Sequence, residues 1–435
     1  MWPSTVYYVA ASLKDSKGKK VNPKALVEER AKPSGTGPRP WKYASLASGL
    51  TPTKLAGIFK KADEGDLQDI LTLASEIERR DSHVGAQLRT RRLALAGLPW
   101  IVEAVGDDQS AVDIADELQA IVNGHAFKRL VFHLTDAIFK PFSVCEIVWR
   151  MGEKYVPHSF IWRDQRSFAV SLEDGETILL RTKDFPKGEE IEPWKYLIHT
   201  PRMFSGPLTT SGLVRPAAVM YSLKTLGLSA WLGYMEIFGI PWRIGRFPGN
   251  ASEEDKETLA EAIQALGQDG GIVLPVGMDL EIENAMGAGA GSQVHQQLAD
   301  WCDRQTSKAI LGQTLTSDTG GGSYAQGSVH DGIRRTLLVA DAIDLAATIQ
   351  RDLIEPYMLI NYGEGVPTPT IRCQTEEPED RKSFVDFLVP LIDRGLSVEQ
   401  SIVRDKLGLP APEEAKEGKV VSVLHPLGSN DPVPA

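Results

Sequence analysis

The sequence predicts an α+β fold in which long helices carry two separate β-rich blocks. Three observations support this class. Five short runs of strand-forming residues follow one another within residues 142–200. Two long stretches with helical character, Gly212–Phe238 and Ser292–Ile310, enclose a compact unit that reads strand, helix, strand, strand. A third long helix is predicted at Val329–Ile360, where apolar residues recur at helical spacing.

The first 50 residues are predicted to form an extended arm. They are polar, interrupted by five prolines, and rich in lysine between Lys14 and Lys20. Two interpretations stay open: an arm that lies on a neighbouring copy of the chain, and a tail without fixed structure.

Residues 51–139 are predicted to be mainly helical. Turn and capping residues mark helix starts at Thr51-Pro52, Gly65-Asp66 and Asp81-Ser82. The later elements of this region are a strand at Trp100–Val105 and helices at Ala111–Asn123 and Phe127–Phe139.

The helix His83–Ala96 carries three arginines, Arg89, Arg91 and Arg92. They could bind phosphate. A solvated helix face, or pairing with acids such as Glu76 and Glu78, is the favoured interpretation.

Residues 142–200 form the first β-rich block. Turns at Met151–Glu153 and Glu173–Gly175 separate strands predicted at Val144–Trp149, Tyr155–Ile161, Phe168–Leu172, Thr177–Arg181 and Tyr196–His199. Its aromatic residues are predicted to form a core rather than a ligand platform: Trp149, Phe160, Trp162, Phe168 and Trp194.

The second block lies between the first two long helices. Gly239–Pro241 ends the first helix, and Trp242–Phe247 is predicted to be a strand. Ser252 caps a helix that stops at Gly267. Two strands, Gly271–Pro275 and Met278–Glu283, are predicted to pair around Val276-Gly277, which makes a βαββ insertion.

A glycine-rich segment, Leu311–Ser328, follows the second long helix. It contains five glycines and one charged side chain, Asp318, so it holds little backbone order by itself. Ser328 and Asp331 are predicted to cap the third long helix, and Pro356 to kink or end it.

The remaining residues are predicted to contain a strand at Thr370–Gln374 and a helical pair at Glu379–Asp393 and Ser397–Leu407. From Pro410 the chain is rich in proline and charge, which predicts an extended tail.

Composition excludes several classes of function. The net charge of −11 disfavours a protein that grips nucleic acid through a basic stripe. No apolar run reaches the roughly 20 residues that span a bilayer, so no membrane role is expected. Cys145, Cys302 and Cys373 have no metal-binding spacing and indicate a reducing compartment.

Signs of catalytic chemistry are weak. The triple glycine is not followed by the lysine of a phosphate-binding loop, and no histidine pair has ligand spacing. His330 and Asp331 are neighbours on a helix and point in different directions. We therefore predict no catalytic, metal-binding or cofactor-binding residue and no enzyme activity.

The order of parts resembles the portal proteins of tailed bacteriophages, and most of all those of Mu-like transposable phages. The resemblance to tailed-phage portal proteins is carried by Gly212–Pro216 opening a helix, Phe238–Pro241 closing it, the βαββ insertion, and a helix ending in Ala309–Gly312 before the glycine-rich loop and the long helix. The narrower resemblance to Mu-like portals is carried by Asp81–Val84 with the arginine-rich helix and by Leu311–Leu315. The likeness covers about Asp81–Met358.

The resemblance implies a portal fold with named parts. Within the α+β class it has long stem and wing helices, a β-rich wing block and a small βαββ clip insertion. The implied divisions are an arm (1–50), a wing (51–211), a first stem helix (212–240), a clip (241–288), a second stem helix (289–311), a tunnel loop (312–327), a long wing helix (328–365), a crown-like region (366–410) and a tail (411–435).

The resemblance also implies two functional surfaces. The tunnel loop would face DNA with Gln313, Thr314, Thr316, Ser317, Asp318, Thr319, Gly320, Gly321, Gly322, Ser323, Tyr324 and Gln326. The clip would dock partner proteins with Arg243, Arg246, Glu253, Glu254, Asp255, Lys256 and Glu261.

The implied function is a dodecameric ring at one capsid vertex, assembled in the host cytoplasm and kept in the virion, through which double-stranded DNA passes. The implied partners are the terminase large subunit, a head–tail adaptor, the major capsid protein and the scaffold. Two alternatives stay open: an enzyme that uses the glycine loop as an anion or nucleotide cradle, and a head-morphogenesis adaptor protein.

Overall fold

The computed structural model describes residues 14–15, 18–31, 45–238, 242–246, 249, 251–265, 279–283, 290–313, 324–375, 381–395, 398 and 403–404. The chain divides into two units, residues 1–373 and 374–435. In the second unit, the described helix is Arg381–Asp393. The expected helix Ser397–Leu407 and the extended tail lie almost wholly outside the described residues.

Apart from α1, which was not predicted, the described helices of the first unit follow the predicted order. They are α1 Pro23–Val27, α2 Pro52–Asp63, α3 Gln68–Arg80, α4 Ser82–Ala96, α5 Gln109–Val122, α6 His125–Leu134, α7 Val214–Phe238, α8 Glu253–Ala265, α9 Ala290–Leu311, α10 Tyr324–Ile349 and α11 Glu355–Tyr362. Short 3₁₀ turns occur at Thr135–Ile138, Gln165–Ser167 and Leu208–Thr210.

The strands form four small antiparallel sheets in the described residues. They are β1 Trp100–Glu103, β2 Ser143–Met151, β3 Tyr155–Arg163, β4 Phe168–Val170, β5 Ile178–Leu180, β6 Glu189–Glu190, β7 Tyr196–His199, β8 Trp242–Arg246, β9 Asp279–Glu283 and β10 Thr370–Cys373. The sheet orders are β3-β2-β7, β4-β5-β6, β1-β10 and β8-β9.

Helix starts with a capping residue lie where the sequence predicts them. Thr51 Oγ1 accepts a hydrogen bond from the Lys54 amide at 3.3 Å and starts α2. Asp81 Oδ1 accepts from the His83 amide at 2.9 Å and starts α4. A capping side chain acts within one turn, so a local sequence pattern is enough to place it.

The first β-rich block is built around the predicted aromatic core. Trp149 is 1 % exposed and its indole N–H donates to the Trp194 carbonyl at 2.9 Å. Phe168 is equally buried and meets Tyr196 edge to face, with ring centroids 5.9 Å apart. Phe160, Trp162 and Trp194 are half-buried against the cluster that contains Trp149, whereas Phe168 and Tyr196 belong to a second hydrophobic cluster.

The pairing of β1 with β10 joins distant parts of the chain. Trp100 lies opposite Cys373, and Glu103 lies opposite Thr370. Both strands were expected from their sequences, but the pairing was not, because strand pattern carries no information about a partner so far along the chain.

The described part of the N-terminal arm differs from the expected extended segment. Pro23–Val27 is a helix capped by Asn22, and its Leu26 is 1 % exposed within the core. The Lys195 ammonium donates to the Leu26 carbonyl at 2.8 Å. This segment therefore packs on its own chain, which neither of the two interpretations of the arm anticipated for these residues.

The third long helix differs from the prediction at its start and at Pro356, which was expected to kink or end it. Helix α10 begins at Tyr324, so Ser328 lies inside the helix rather than at its cap, and Tyr324 and Gln326 are helical rather than part of a loop. Pro356 does not end the helix. A π-helical turn, Gln350–Ile354, precedes it, and Pro356 then occupies the first turn of α11, where a missing amide N–H costs little.

A buried histidine on β7 makes the stability of the fold sensitive to acid. His199 Nδ1 lies 2.9 Å from Thr348 Oγ1 of α10. Burial, together with the charge of Arg351, lowers the pKa of the His199 imidazole from 6.5 to about 3. Between these two pH values the unfolded chain binds a proton that the folded chain does not bind.

We therefore expect the free energy of unfolding to fall as the pH falls through this window. The contribution of His199 is up to about 1.4 kcal/mol per pH unit. Urea midpoints measured at about pH 7 and about pH 4.5 should separate by less in His199→Gln than in the original protein. Equal separations in the two proteins would contradict the assignment.

Candidate functional site

The most prominent feature of the first unit is an antiparallel hairpin of α7 and α9. Their 25 and 22 residues correspond to lengths of about 37 Å and about 33 Å. A Cβ atom on Gly227 would lie 2.8 Å from Leu298 Cδ2, so the two helices approach closely there and a larger residue would displace the Leu298 side chain. Tyr234 and His295 face each other further along, with ring centroids 6.1 Å apart.

Lys224 holds the hairpin against α4. Its ammonium lies 2.6 Å from Asp303 Oδ1 of α9 and 3.1 Å from Asp81 Oδ2 at the start of α4. Burial opposes the charge, but the hydrogen bond to Asp303 and the negative charge of Asp81 raise the pKa of Lys224 above its ordinary value. Lys224 therefore stays protonated and joins three helices.

The insertion between the hairpin helices contains β8, α8 and β9. Trp242 pairs with Glu283 and Arg246 with Asp279. The predicted strand Gly271–Pro275 lies outside the described residues, and so do Val276 and Gly277. The predicted pairing of that strand with Met278–Glu283 therefore stays a prediction. The partner of β9 in the described residues is β8.

The start of α8 uses some of the predicted docking residues for capping. Ser252 Oγ accepts from the Asp255 amide at 3.1 Å, and Asp255 Oδ2 accepts from the Ser252 amide at 3.2 Å. Lys256 pairs with Glu253 at 2.6 Å. Glu253, Glu254 and Glu261 are exposed, whereas Asp255 and Lys256 are half-buried. The backbones of Arg243 and Arg246 lie in β8.

The start of the glycine-rich segment lies against α10. Gly312 ends α9 with φ of 70°, and its amide donates to the Lys308 carbonyl at 3.0 Å. A Cβ atom there would lie 3.0 Å from Ile333 Cγ2 of α10, so α9 ends directly against α10.

The predicted DNA-facing residues fall into three groups. Gln313 is only 4 % exposed, which corrects the expectation that it faces a channel. Tyr324 and Gln326 belong to α10. The others, Thr314, Thr316, Ser317, Asp318, Thr319, Gly320, Gly321, Gly322 and Ser323, lie outside the described residues.

The arginines of α4 are engaged in buried contacts. Arg92 pairs with Glu78 at 2.8 Å, as expected, and stacks over Phe132 at 4.4 Å. Glu76 instead accepts from the Ala47 amide at 2.7 Å. Arg91 forms two hydrogen bonds with Asp341, at 2.7 and 2.8 Å. These contacts leave Arg91 and Arg92 unavailable for phosphate, while Arg89 is exposed.

Both helices of the hairpin expose apolar side chains in the single chain. On α9, Val294 is 63 % exposed and Trp301 is 44 % exposed, and both share one helix face with Leu298. On α7, Leu232 is 63 % exposed and Met235 is 52 % exposed. Sequence reasoning missed this set because apolar residues at helical spacing look the same whether they pack within a chain or between chains.

The described residues offer little for metal chemistry or membrane insertion. They contain no group of three or more histidine, cysteine, aspartate or glutamate residues that could hold a metal ion. A helix long and apolar enough to span a bilayer is likewise absent from that part of the chain.

Comparison with known proteins gives consistent results. A family described as the portal protein of Mu bacteriophage matches residues 71–409. The Mu-like prophage FluMu protein gp29 of Haemophilus influenzae is 32 % identical over 392 residues, which cover 87 % of this chain and 74 % of the relative. The portal protein of Escherichia phage Mu is 32 % identical over 374 residues, which cover 84 % and 72 %.

A solved structure supports the same fold. A chain in the neck of an empty gene transfer agent particle, computed with C6 symmetry, superposes with a TM-score of 0.55 at 14 % identity. The match covers 79 % of this chain and 95 % of that chain. At this identity the likeness concerns the fold alone.

Proposed function

The chain belongs to the family of Mu bacteriophage portal proteins, and we propose that twelve copies form a ring at one capsid vertex through which double-stranded DNA enters and leaves. Membership of this family makes it a structural protein of the phage virion. The alternatives of an enzyme and of a head-morphogenesis adaptor are set aside, because the relatives are portal proteins.

The observation that carries the ring is the exposed apolar surface of the hairpin. Val294 and Trp301 of α9, and Leu232 and Met235 of α7, are exposed in the single chain. A closed ring is built from heterologous contacts, in which one surface of a subunit meets a different surface of the next. A hairpin with apolar residues on both helices supplies two such surfaces, and the occupant we propose is a second copy of this chain.

The tunnel loop suits a surface past which DNA moves. Its sequence has one charged side chain, Asp318, and no lysine or arginine. Each lysine or arginine contact with a phosphate adds salt-dependent affinity, which would hold DNA in place. Gly312 places the start of the loop at the end of α9, against Ile333 of α10.

The clip residues are proposed to dock the terminase large subunit during packaging and a head–tail adaptor afterwards. Glu253, Glu254 and Glu261 form an exposed acidic surface on α8. Two residues of opposite charge, Arg243 and Arg246, lie close to it in the sequence, in β8. We assign the wing to contacts with the major capsid protein and scaffold, made while the ring assembles in the host cytoplasm.

Electron microscopy of the purified full chain tests the ring directly. We expect closed rings with twelve subunits. A protein that stays monomeric at micromolar concentration and under packaging conditions would contradict the proposal.

Replacement of Thr319–Ser323 by a rigid segment tests the loop. We expect rings to form as before but the yield of DNA-filled heads to fall by about tenfold or more, because a stiff tip obstructs the passage of DNA. The control is a similar replacement in the exposed turn at 105–108. Normal yields of filled heads from the loop variant would remove the loop from the mechanism.

A further inference from the structure

One face of α4 carries a row of polar side chains that point at the end of α9. His83, Gln87 and Arg91 lie four residues apart, which places them on one helix face. Arg91 and Gln87 are buried, at 8 % and 5 % exposure. Burying a polar group costs free energy unless the group is hydrogen-bonded, so the partners of these side chains indicate their role.

The partners belong to the last turns of α9. His83 Nε2 lies 2.7 Å from Ser307 Oγ, and Gln87 Nε2 lies 3.4 Å from the same imidazole nitrogen. Arg91 Nη1 donates to the Ile310 carbonyl at 2.7 Å. The last four carbonyls of a helix have no partner within the helix, so Arg91 satisfies a group that the fold leaves open there.

The same guanidinium also holds the helix that follows the loop. Arg91 Nε and Nη2 donate to the two carboxylate oxygens of Asp341 in α10, and Asp341 is 6 % exposed. One side chain therefore binds both the end of α9 and the body of α10. The glycine-rich segment between those helices leaves from Ile310 on one side and returns at Tyr324 on the other.

We propose that Arg91 is a positioning residue for the tunnel loop, because it fixes the end of α9, from which the loop leaves, against the body of α10, to which the loop leads, through the Ile310 carbonyl and Asp341. The inference rests on the proposed function of that loop. A glycine-rich loop cannot set its own position, because glycine gives little conformational restriction. The planar guanidinium fork sets the spacing, since it makes three directed hydrogen bonds from one rigid group.

The adjacent residue provides a matched control. Arg92 is as buried as Arg91 and also binds a carboxylate and a backbone carbonyl, those of Glu78 and Phe132. Its partners lie on α3 and α6, away from the loop. Arg91→Met and Arg92→Met each remove carboxylate and carbonyl contacts of the same helix, and Arg92 also lies 3.6 Å from Asp136. Only Arg91→Met removes contacts with α9 and α10.

Hydrogen–deuterium exchange of the purified, assembled full chain tests the proposal. We expect Arg91→Met to speed amide exchange in residues 308–328 by about tenfold or more, as the loss of hydrogen bonds to a charged group implies. Arg92→Met should speed exchange around residues 125–135 and leave 308–328 unchanged. Arg91→Lys should fall between Arg91→Met and the original protein, because an ammonium pairs with Asp341 but cannot span all three acceptors.

Two results would overturn the proposal: unchanged exchange at 308–328 in Arg91→Met, or the same pattern of change in both methionine variants. If Arg91→Met does not fold, Arg91→Lys and Asp341→Asn carry the comparison. Exchange is measured without DNA. The exchange result therefore tests the positioning role of Arg91 independently of the yield of DNA-filled heads, which tests the role of the loop. A failure of one proposal can be told apart from a failure of the other.

Discussion

Trp301→Glu should prevent the ring from assembling. Trp301 is 44 % exposed on α9 and shares its helix face with Val294 and Leu298. A buried tryptophan at the centre of an interface commonly contributes about 2 kcal/mol or more, and an unpaired carboxylate in its place adds a desolvation cost. Because the loss recurs at every interface of the ring, we expect the assembled fraction at micromolar concentration to fall by at least about tenfold.

Size-exclusion chromatography with light scattering measures this loss. Trp301→Phe, which keeps an aromatic surface, should still assemble. Gln296→Glu adds the same charge to an exposed polar residue of α9 and should also assemble. The melting temperature of the Trp301→Glu subunit should stay close to the original, because the side chain is not in the core. Normal rings from Trp301→Glu would refute the proposed interface.

Glu146→Ala should cause the largest loss of stability of any substitution proposed for this chain. Glu146 is fully buried in β2, where it accepts hydrogen bonds from Arg163 Nε at 2.8 Å and from the Ala31 and Arg30 amides. The Lys195 ammonium lies 3.6 Å away and is also fully buried. The substitution leaves the buried Lys195 ammonium without its carboxylate and Arg163 with the half-exposed Glu29 alone, which costs about 3–5 kcal/mol.

Urea unfolding and limited trypsin digestion measure the two consequences. The unfolding midpoint should fall markedly, and cleavage at Lys24 or Arg30 should become faster, because Glu146 holds the backbone of this segment. Glu29→Ala is the control. Glu29 binds the same Arg163 at 2.8 Å but its side chain is 36 % exposed, so its loss should cost about 1 kcal/mol or less. Equal effects of the two substitutions would contradict a special role for Glu146.

The errors of sequence reasoning have identifiable physical causes. The glycine content of Leu311–Ser328 suggested a loop up to Gln326, yet α10 begins at Tyr324. Helix propensity is a weak local preference that tertiary packing overrides. Pro356 was expected to kink or end a helix, but it does not end it, because the π-helical turn at Gln350–Ile354 places it in the first turn of α11, where proline is tolerated.

Apart from α1 and β6, the amino-acid sequence by itself determined the order of the described helices and strands, the capped starts at Thr51, Asp81 and Ser252, and the burial of aromatic residues in the first β block. Each of these depends on side chains within a few residues of one another. Only the tertiary structure decided that Arg91 binds Asp341, that Glu146 binds the segment around Ala31, and that β1 pairs with β10. In each pair the two partners are far apart in the sequence. They meet only when the chain folds, because a buried charge or an unpaired strand edge then needs a hydrogen-bonding partner.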